Sequence, residues 1–309
     1  MGFWEEPVRC LQRFDYRHGL PWMSCLPLEI GQRIAEARGL AHAAMDYDWR
    51  SVAIGFRYIR SRTWQAMGMI RPEKGRLWKM VKTAQRFVHN SREEWQACLF
   101  SRDVMGKINR QSKVEGIEGL LAIQASGRGM VMVGCHLDSF CMGMVLMGMK
   151  GLRVNVINTI GIEDERIHPD VRAFYQKKYR AMERRMNGRM EYHETNMAYF
   201  YEALERGETV CLMGDVPGSK SDVFIPFLGT WLRMPVGAWH MAKRTGSLVG
   251  GFVCIHEGVG RYRVVNLPPR EIDLQSPQKT LIPIYRFLED SIRRMPDRWV
   301  AADLLPAYA

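Results

Sequence analysis

The chain has 309 residues, 47% hydrophobic and 25% charged, which is ample material for a core in one large domain or two smaller ones. Its 44 basic residues outnumber 33 acidic ones, and a net charge of +11 favours an anionic partner: a lipid surface, a phosphorylated substrate, an acidic carrier protein or nucleic acid. Seven scattered cysteines with no C-x-x-C pair exclude a disulfide framework and the usual zinc spacings, so no metal is expected and reduced core thiols of a cytosolic protein fit best.

The opening segment, MGFWEEPVRCLQRFDYRHG, is charged early and has no apolar run, so no signal peptide is expected; Glu6 makes a poor myristoylation signal. Residues 1–125 read as a helical amino-terminal region and 126–309 as an α/β core. In the first part, Pro27 to Met45 places apolar residues at near-helical spacing, and Thr83 to Phe100 does likewise around Phe87, Trp95 and Leu99. Between Arg50 and Arg92 eleven basic residues face one acid, Glu73, interleaved with Phe56, Tyr58, Trp64 and Trp78. That mixture suits a lipid headgroup zone or a phosphate backbone, and equally suits buried aromatics beside snorkelling arginines. No recognised nucleic-acid module accompanies it, so nucleic acid is the weakest of the anionic partners.

From residue 127 the pattern alternates. Strands are expected at Met130–Cys135, Arg153–Asn158, Thr209–Met213, Ser247–Ile255 and Tyr262–Asn266. Helices are expected near Phe140–Met149, Pro169–Met186, Asn196–Arg206, Pro235–Arg244 and Pro283–Met295. Short β-rich runs separated by helices predict an α/β fold, a central mostly parallel sheet flanked by helices. The longest apolar region is interrupted by His136 and Asp138, and neither half reaches the roughly 20 residues of a membrane span.

That region, GRGMVMVGCHLDSFCMGMVLMGM (127–149), is the most informative. A buried strand delivers His136 to its carboxyl end, where the next helix begins and where ligands collect in open α/β sheets. A histidine there is suited to general-base work, given a partner that fixes its tautomer. Asp138 follows two residues later and Cys141 five. Met130, Met132, Met142, Met144, Met147 and Met149 read either as ordinary core or as the soft lining of an apolar groove. The stretch Pro169 to Arg189 carries seven cations against two acids, Asp170 and Glu183, which reads as a surface helix or as a docking face for phosphate or a carrier.

This region resembles the core motif of the lipid A biosynthesis acyltransferase family, within the lysophospholipid acyltransferase superfamily. Residues 207–253 are similar as well: Gly214-Asp215 ends a strand, Pro217-Gly218 forms a glycine-containing loop, Val223 to Gly229 carries V-x-x-P-F-x-G, and Met234 to Arg244 forms a helix. SIRRMPDRW (291–299) is similar to the family's closing helix. The resemblance, spanning about 120 to 300, implies transfer of a fatty acyl group from an acyl carrier protein or coenzyme A thioester to a hydroxyl or amine of a lipid acceptor. His136 would be the general base, and no cofactor is needed beyond the donor itself. It also implies work at the inner face of a bacterial cytoplasmic membrane, here as a peripheral protein on an anionic surface. Substrate-binding candidates are Asp215, Gly218, Arg153 and Asn158; ungapped counting brings Asn158 near the arginine of many lipid A enzymes.

The family's H-x4-D/E is here H-x4-C, with Cys141 in the carboxylate's place. Three readings are open. His136 works alone, with Asp138, or with a more distant acid; Cys141 is an acyl-accepting nucleophile with His136 as its base; or the site is inactive and the fold binds lipid or a carrier protein.

Overall fold

The computed structural model describes residues 5–50, 58–216 and 222–308. The amino-terminal part is helical: α1 (Glu5–Phe14), a π turn (Asp15–Gly19), α2 (Leu20–Met23), α3 (Leu28–Met45), α4 (Ile59–Ile70), α5 (Arg76–Leu99) and α6 (Val104–Gln111). Alternation follows: β1 (Lys113–Val114), α7 (Ile117–Ala125), β2 (Met130–Gly134), α8 (Phe140–Met149), β3 (Val154–Asn158), α9 (Pro169–Met186), β4 (Met190–Tyr192), α10 (Met197–Glu205) and β5 (Thr209–Met213). Then come β6 (Asp222–Phe227), β7 (Thr230–Pro235), α11 (Gly237–Thr245), β8 (Leu248–Gly258), β9 (Arg261–Arg270) and α12 (Pro277–Arg294). Two 3₁₀ turns, Pro296–Arg298 and Val300–Ala307, end the described chain.

Seven strands form one sheet in the order β1-β9-β8-β2-β5-β3-β4. Strands β8, β2, β5, β3 and β4 run parallel, while β9 turns back antiparallel on β8 and carries β1 beside it. The all-apolar reading of β2 follows from its place: every residue is buried, and alternate side chains enter different cores. Met130 and Met132 join the core under α8 and α9, whereas Val131 and Val133 join the one under α10, α11 and α12. Five of the six methionines in question, Met130, Met132, Met142, Met144 and Met147, are buried in the first of these cores, with Met149 packed at its margin.

Helix α8 is apolar all round because it is enclosed all round. At Gly148 a Cβ would stand 2.3 Å from the Met186 Cα, so α8 and α9 cross with their backbones in contact. Strand connections leave β2 towards β3 and return from β5 to β8 on the other side. The carboxyl ends of β2 and β5 therefore flank the crevice where the strand order reverses.

The structure adds elements that the pattern does not announce. The segment Val223 to Gly229 is half of an antiparallel hairpin, β6–β7. Helix α12 starts at Pro277, six residues before the expected Pro283: Ser276 caps it through a bond from the Lys279 N–H (3.3 Å), and Pro277 suits the first turn. Pro283 is then carried inside the helix.

Candidate active site

Past Gly134 the chain turns tightly. The Leu137 N–H returns to the Cys135 carbonyl (2.7 Å), putting His136 at the tip of a three-residue turn. The carboxy-terminal segment clamps this turn, with the Val300 N–H bonded to the His136 carbonyl (2.8 Å) and the Asp138 N–H to the Arg298 carbonyl (2.7 Å). Asp138 adopts a left-handed conformation (φ 52°), an uncommon state that Asp tolerates better than most residues.

The carboxylate that meets the imidazole is Asp215, at the end of the neighbouring strand β5. His136 Nδ1 lies 2.8 Å from Asp215 Oδ1, and the His136 backbone N–H donates to Oδ2 at 2.9 Å. The indole N–H of Trp299 donates to the same Oδ2 at 2.6 Å. Burial pushes the Asp215 carboxyl upward, but the imidazole, the indole and the backbone N–H together hold it below the ordinary carboxylate range. The Asp215 side chain is 0% exposed and that of His136 30%, so the carboxylate is shielded while the imidazole is open. Nε2 of His136 has no partner among the described residues. The Phe140 ring meets the imidazole edge-on, with centroids 4.9 Å apart.

Asp138 faces a different set of groups. Its Oδ1 accepts from Arg92 (2.5 Å), and its Oδ2 accepts from Arg298 (2.7 Å) and the His256 N–H (2.9 Å). Burial raises its carboxyl, and the two guanidinium groups bring it below the usual range. Asp138 thus ties the turn to α5, β8 and the carboxy-terminal segment. The nearest carboxylate in sequence is not the one hydrogen-bonded to the histidine.

Cys141 lies in the first turn of α8, buried, with its thiol within hydrogen-bonding reach of Glu93 and Lys178. Burial pushes the thiol strongly away from ionisation. Lys178 and Glu93 form a buried ion pair (2.7 Å), and the ammonium also stands over the Phe140 and Tyr175 rings at 5.7 and 5.4 Å. The basic helix α9 therefore turns one of its cations into the core instead of towards a partner.

Asn158 closes β3 on the same carboxyl edge as His136, one strand beyond β5, and its buried side-chain amide nitrogen makes no hydrogen bond of regular geometry among the described residues, with the Tyr179 hydroxyl beside the amide. Arg153 does not join it. Arg153 precedes β3 at the opposite edge of the sheet, roughly 16 Å down the strand, with its exposed side chain 3.5 Å from Glu208. A parallel strand has one functional end, and Arg153 is at the other. Gly218 lies outside the described residues.

The basic stretch divides in two. Arg86 is fully buried between Asp48 (3.3 Å), Asp303 (2.9 Å) and the Val300 carbonyl, Arg50 shares both carboxylates, and Arg92 holds Asp138. Lys82 pairs with Asp297 at 3.1 Å. These cations brace α5 against the segment carrying Trp299. Phe56 and the rest of 51–57 lie outside the described residues. Two grooves of about 680 and 800 Å³ run along the amino-terminal helices, and neither is lined by His136.

No helix among the described residues is long and apolar enough to cross a membrane. Over 198 residues the chain is 24% identical to the lipid A biosynthesis lauroyltransferase of Escherichia coli (strain K12), which covers 63% of this chain and 61% of that protein. The chain thus spans about three fifths of that relative's length. The model of the bacterial lipid A biosynthesis acyltransferases matches residues 59–301, a stretch that holds His136, Asp215 and Trp299, and the chain belongs to that family.

Proposed function

We propose that this protein transfers a fatty acyl group from a carrier thioester, on acyl carrier protein or coenzyme A, to a hydroxyl or amine of a lipid acceptor, with His136 as general base and Asp215 as its orienting acid. The observation that carries this reading is the 2.8 Å contact of Nδ1 with a shielded carboxylate while Nε2 is left open. Asp215 keeps the proton on Nδ1, so Nε2 presents its lone pair. As Nε2 takes the acceptor's proton, the acceptor oxygen or nitrogen bonds to the thioester carbonyl carbon. The tetrahedral intermediate then expels the thiolate, which recovers the proton from the imidazolium. An ester or amide and a free thiol result, and no other cofactor enters. The positive charge passing through the ring is stabilised by Asp215, which Trp299 and the His136 N–H hold ionised.

Asp138 and Cys141 take no part in this step: one is saturated by two arginines, and the other is a buried thiol held protonated. The acceptor is a lipid and the chain's affinity is for a membrane surface, where the enzyme acts as a peripheral protein. Asn158, with a buried amide donor on the same edge, is the best placed of the other substrate-binding candidates.

Lipid mass spectrometry on cells expressing wild type, His136→Ala and Cys141→Ala tests this. The expected result is a new acylated lipid with wild type and Cys141→Ala, lost with His136→Ala by about two to four orders of magnitude in rate. Loss with Cys141→Ala, together with an acyl adduct on the thiol, would replace the mechanism with a covalent one. No product from wild type would favour a lipid- or carrier-binding protein.

A further inference from the structure

Where α5 begins, the chain breaks the rules of a solvent-facing helix. Leu77, Met80 and Val81, spaced i, i+3, i+4 on one face, are 71%, 55% and 44% exposed. The first turn has no acidic residue and no side-chain cap; Arg76 and Lys79 stand there instead, where the helix dipole disfavours cations. Neither has an ion-pair partner among the described residues. A local arrangement this unfavourable in water is relieved by anionic groups at the helix start and an apolar phase for the side chains.

A second exposed apolar pair lies close by. On the outward face of the β6–β7 hairpin, Phe224 and Trp231 are 59% and 65% exposed, on adjacent strands near the Phe224–Arg233 and Pro226–Trp231 pairs. Arg293 joins the two regions: it donates to the Ile70 carbonyl (2.9 Å) just before the turn into α5, and lies 3.6 Å from where a Cβ would stand on Gly229, in the hairpin turn. Apolar and aromatic side chains fringed by cations are the composition of an interfacial anchor.

We infer that the first two turns of α5 and the outer face of the hairpin form one docking face for an anionic lipid bilayer. The inference rests on the membrane-surface reading above and assigns it to particular residues. It also fits the site: the Pro296–Trp299 segment that clamps His136 is bonded on its far side to α5, through Lys82 and His89 on Asp297. Docking there brings His136 within one segment of the headgroups.

Sedimentation with vesicles of phosphatidylcholine, with and without phosphatidylglycerol, tests the face directly. Wild type binds the anionic vesicles, and Leu77→Asp/Met80→Asp lowers the partition about tenfold or more. Arg76→Glu/Lys79→Glu removes the preference for phosphatidylglycerol, by a similar factor. Trp231→Ser weakens binding a few-fold, and in wild type Trp231 fluorescence is quenched by brominated lipid. Leu77, Met80, Arg76 and Trp231 are exposed and Lys79 is half-buried with its ammonium beside Gly68, so circular dichroism and melting should match wild type. Wild type that ignores both vesicles, or variants that bind as it does, overturns the inference. So does a lipid-free dimer dispersed by Leu77→Asp/Met80→Asp, which would make a second copy the occupant. His136→Ala binding vesicles normally while losing transfer separates this face from the catalytic reading. Leu77→Asp/Met80→Asp should keep transfer to acceptor dispersed in detergent.

Discussion

Asp138 lies two residues from His136 and Asp215 lies 79 away, yet only the distant carboxylate touches the imidazole. Both are buried, both sit at the carboxyl edge of the sheet, and both are held below the usual carboxylate range. They differ in their counter-charges. Asp138 is enclosed by two permanent cations, Arg92 and Arg298, so its charge is spent on holding the turn. Asp215 has only neutral donors and one titratable ring, so its charge is available when that ring takes a proton. Proximity in sequence selects a brace here, and proximity across parallel strands selects the carboxylate that meets the imidazole.

Breaking the Asp215 side of the pair should give the largest effect. Asp215→Asn keeps the volume and removes the charge, so the rate of transfer should fall about a thousandfold, with the melting temperature changed little. A rate within a few-fold of wild type would show that His136 needs no orienting acid.

The Asp138 side should break differently. Asp138→Ala leaves the buried Arg92 with only the distant Glu36 (4.0 Å) as a counter-charge, and should cost about 3–5 kcal/mol of stability in denaturant titration. Activity per folded molecule should survive. A soluble, fully folded Asp138→Ala protein without activity would move the catalytic acid back to Asp138.

Trp299 sharpens the contrast. Trp299→Phe removes one donor from the ionised Asp215 and should lower the rate about tenfold. Losing a bond to the charged form raises a carboxyl pKa, so the acid limb of the pH–rate profile should move upward. A change in stability alone, with the limb unmoved, would reduce Trp299 to packing.

The last contrast lies in the pH dependence of stability. Burial lowers His256, whose N–H supports Asp138, to about 3, and lowers His42 equally. Both are neutral in the folded protein between pH 3 and the unfolded value of about 6.5, where only the unfolded chain binds their protons. Stability should therefore decline as pH falls through that window, by about 1.4 kcal/mol per pH unit for each histidine. The depressed carboxylates add to the loss from about pH 4 downward. His256→Gln should lower the slope by about one such increment, and an unchanged slope would remove His256 from the account.

Much of this architecture was legible in the pattern of residues. The apolar run Met130 to Gly134, the polar break after it and the apolar helix Phe140 to Met149 are local properties, and they lie where expected. So is the delivery of His136 to a strand end. The hairpin was not legible, because V-x-x-P-F-x-G carries no turn signal that separates a strand from a loop. Nor was the early start of α12, where Pro283 reads as a breaker and the Ser276 cap decides otherwise.

The amino-acid sequence by itself determined an α/β chain with a histidine at a strand end and an excess of positive charge, because periodicity and composition act over a few residues. Which carboxylate meets that imidazole was decided only when β5 came to lie beside β2, since strand order is a tertiary property. The same is true of the cations: Arg86 and Arg92 read like Arg76 and Lys79, and burial alone made the first two internal braces while leaving the other two at the surface. Charge is written in the residue; what it faces is settled by the fold.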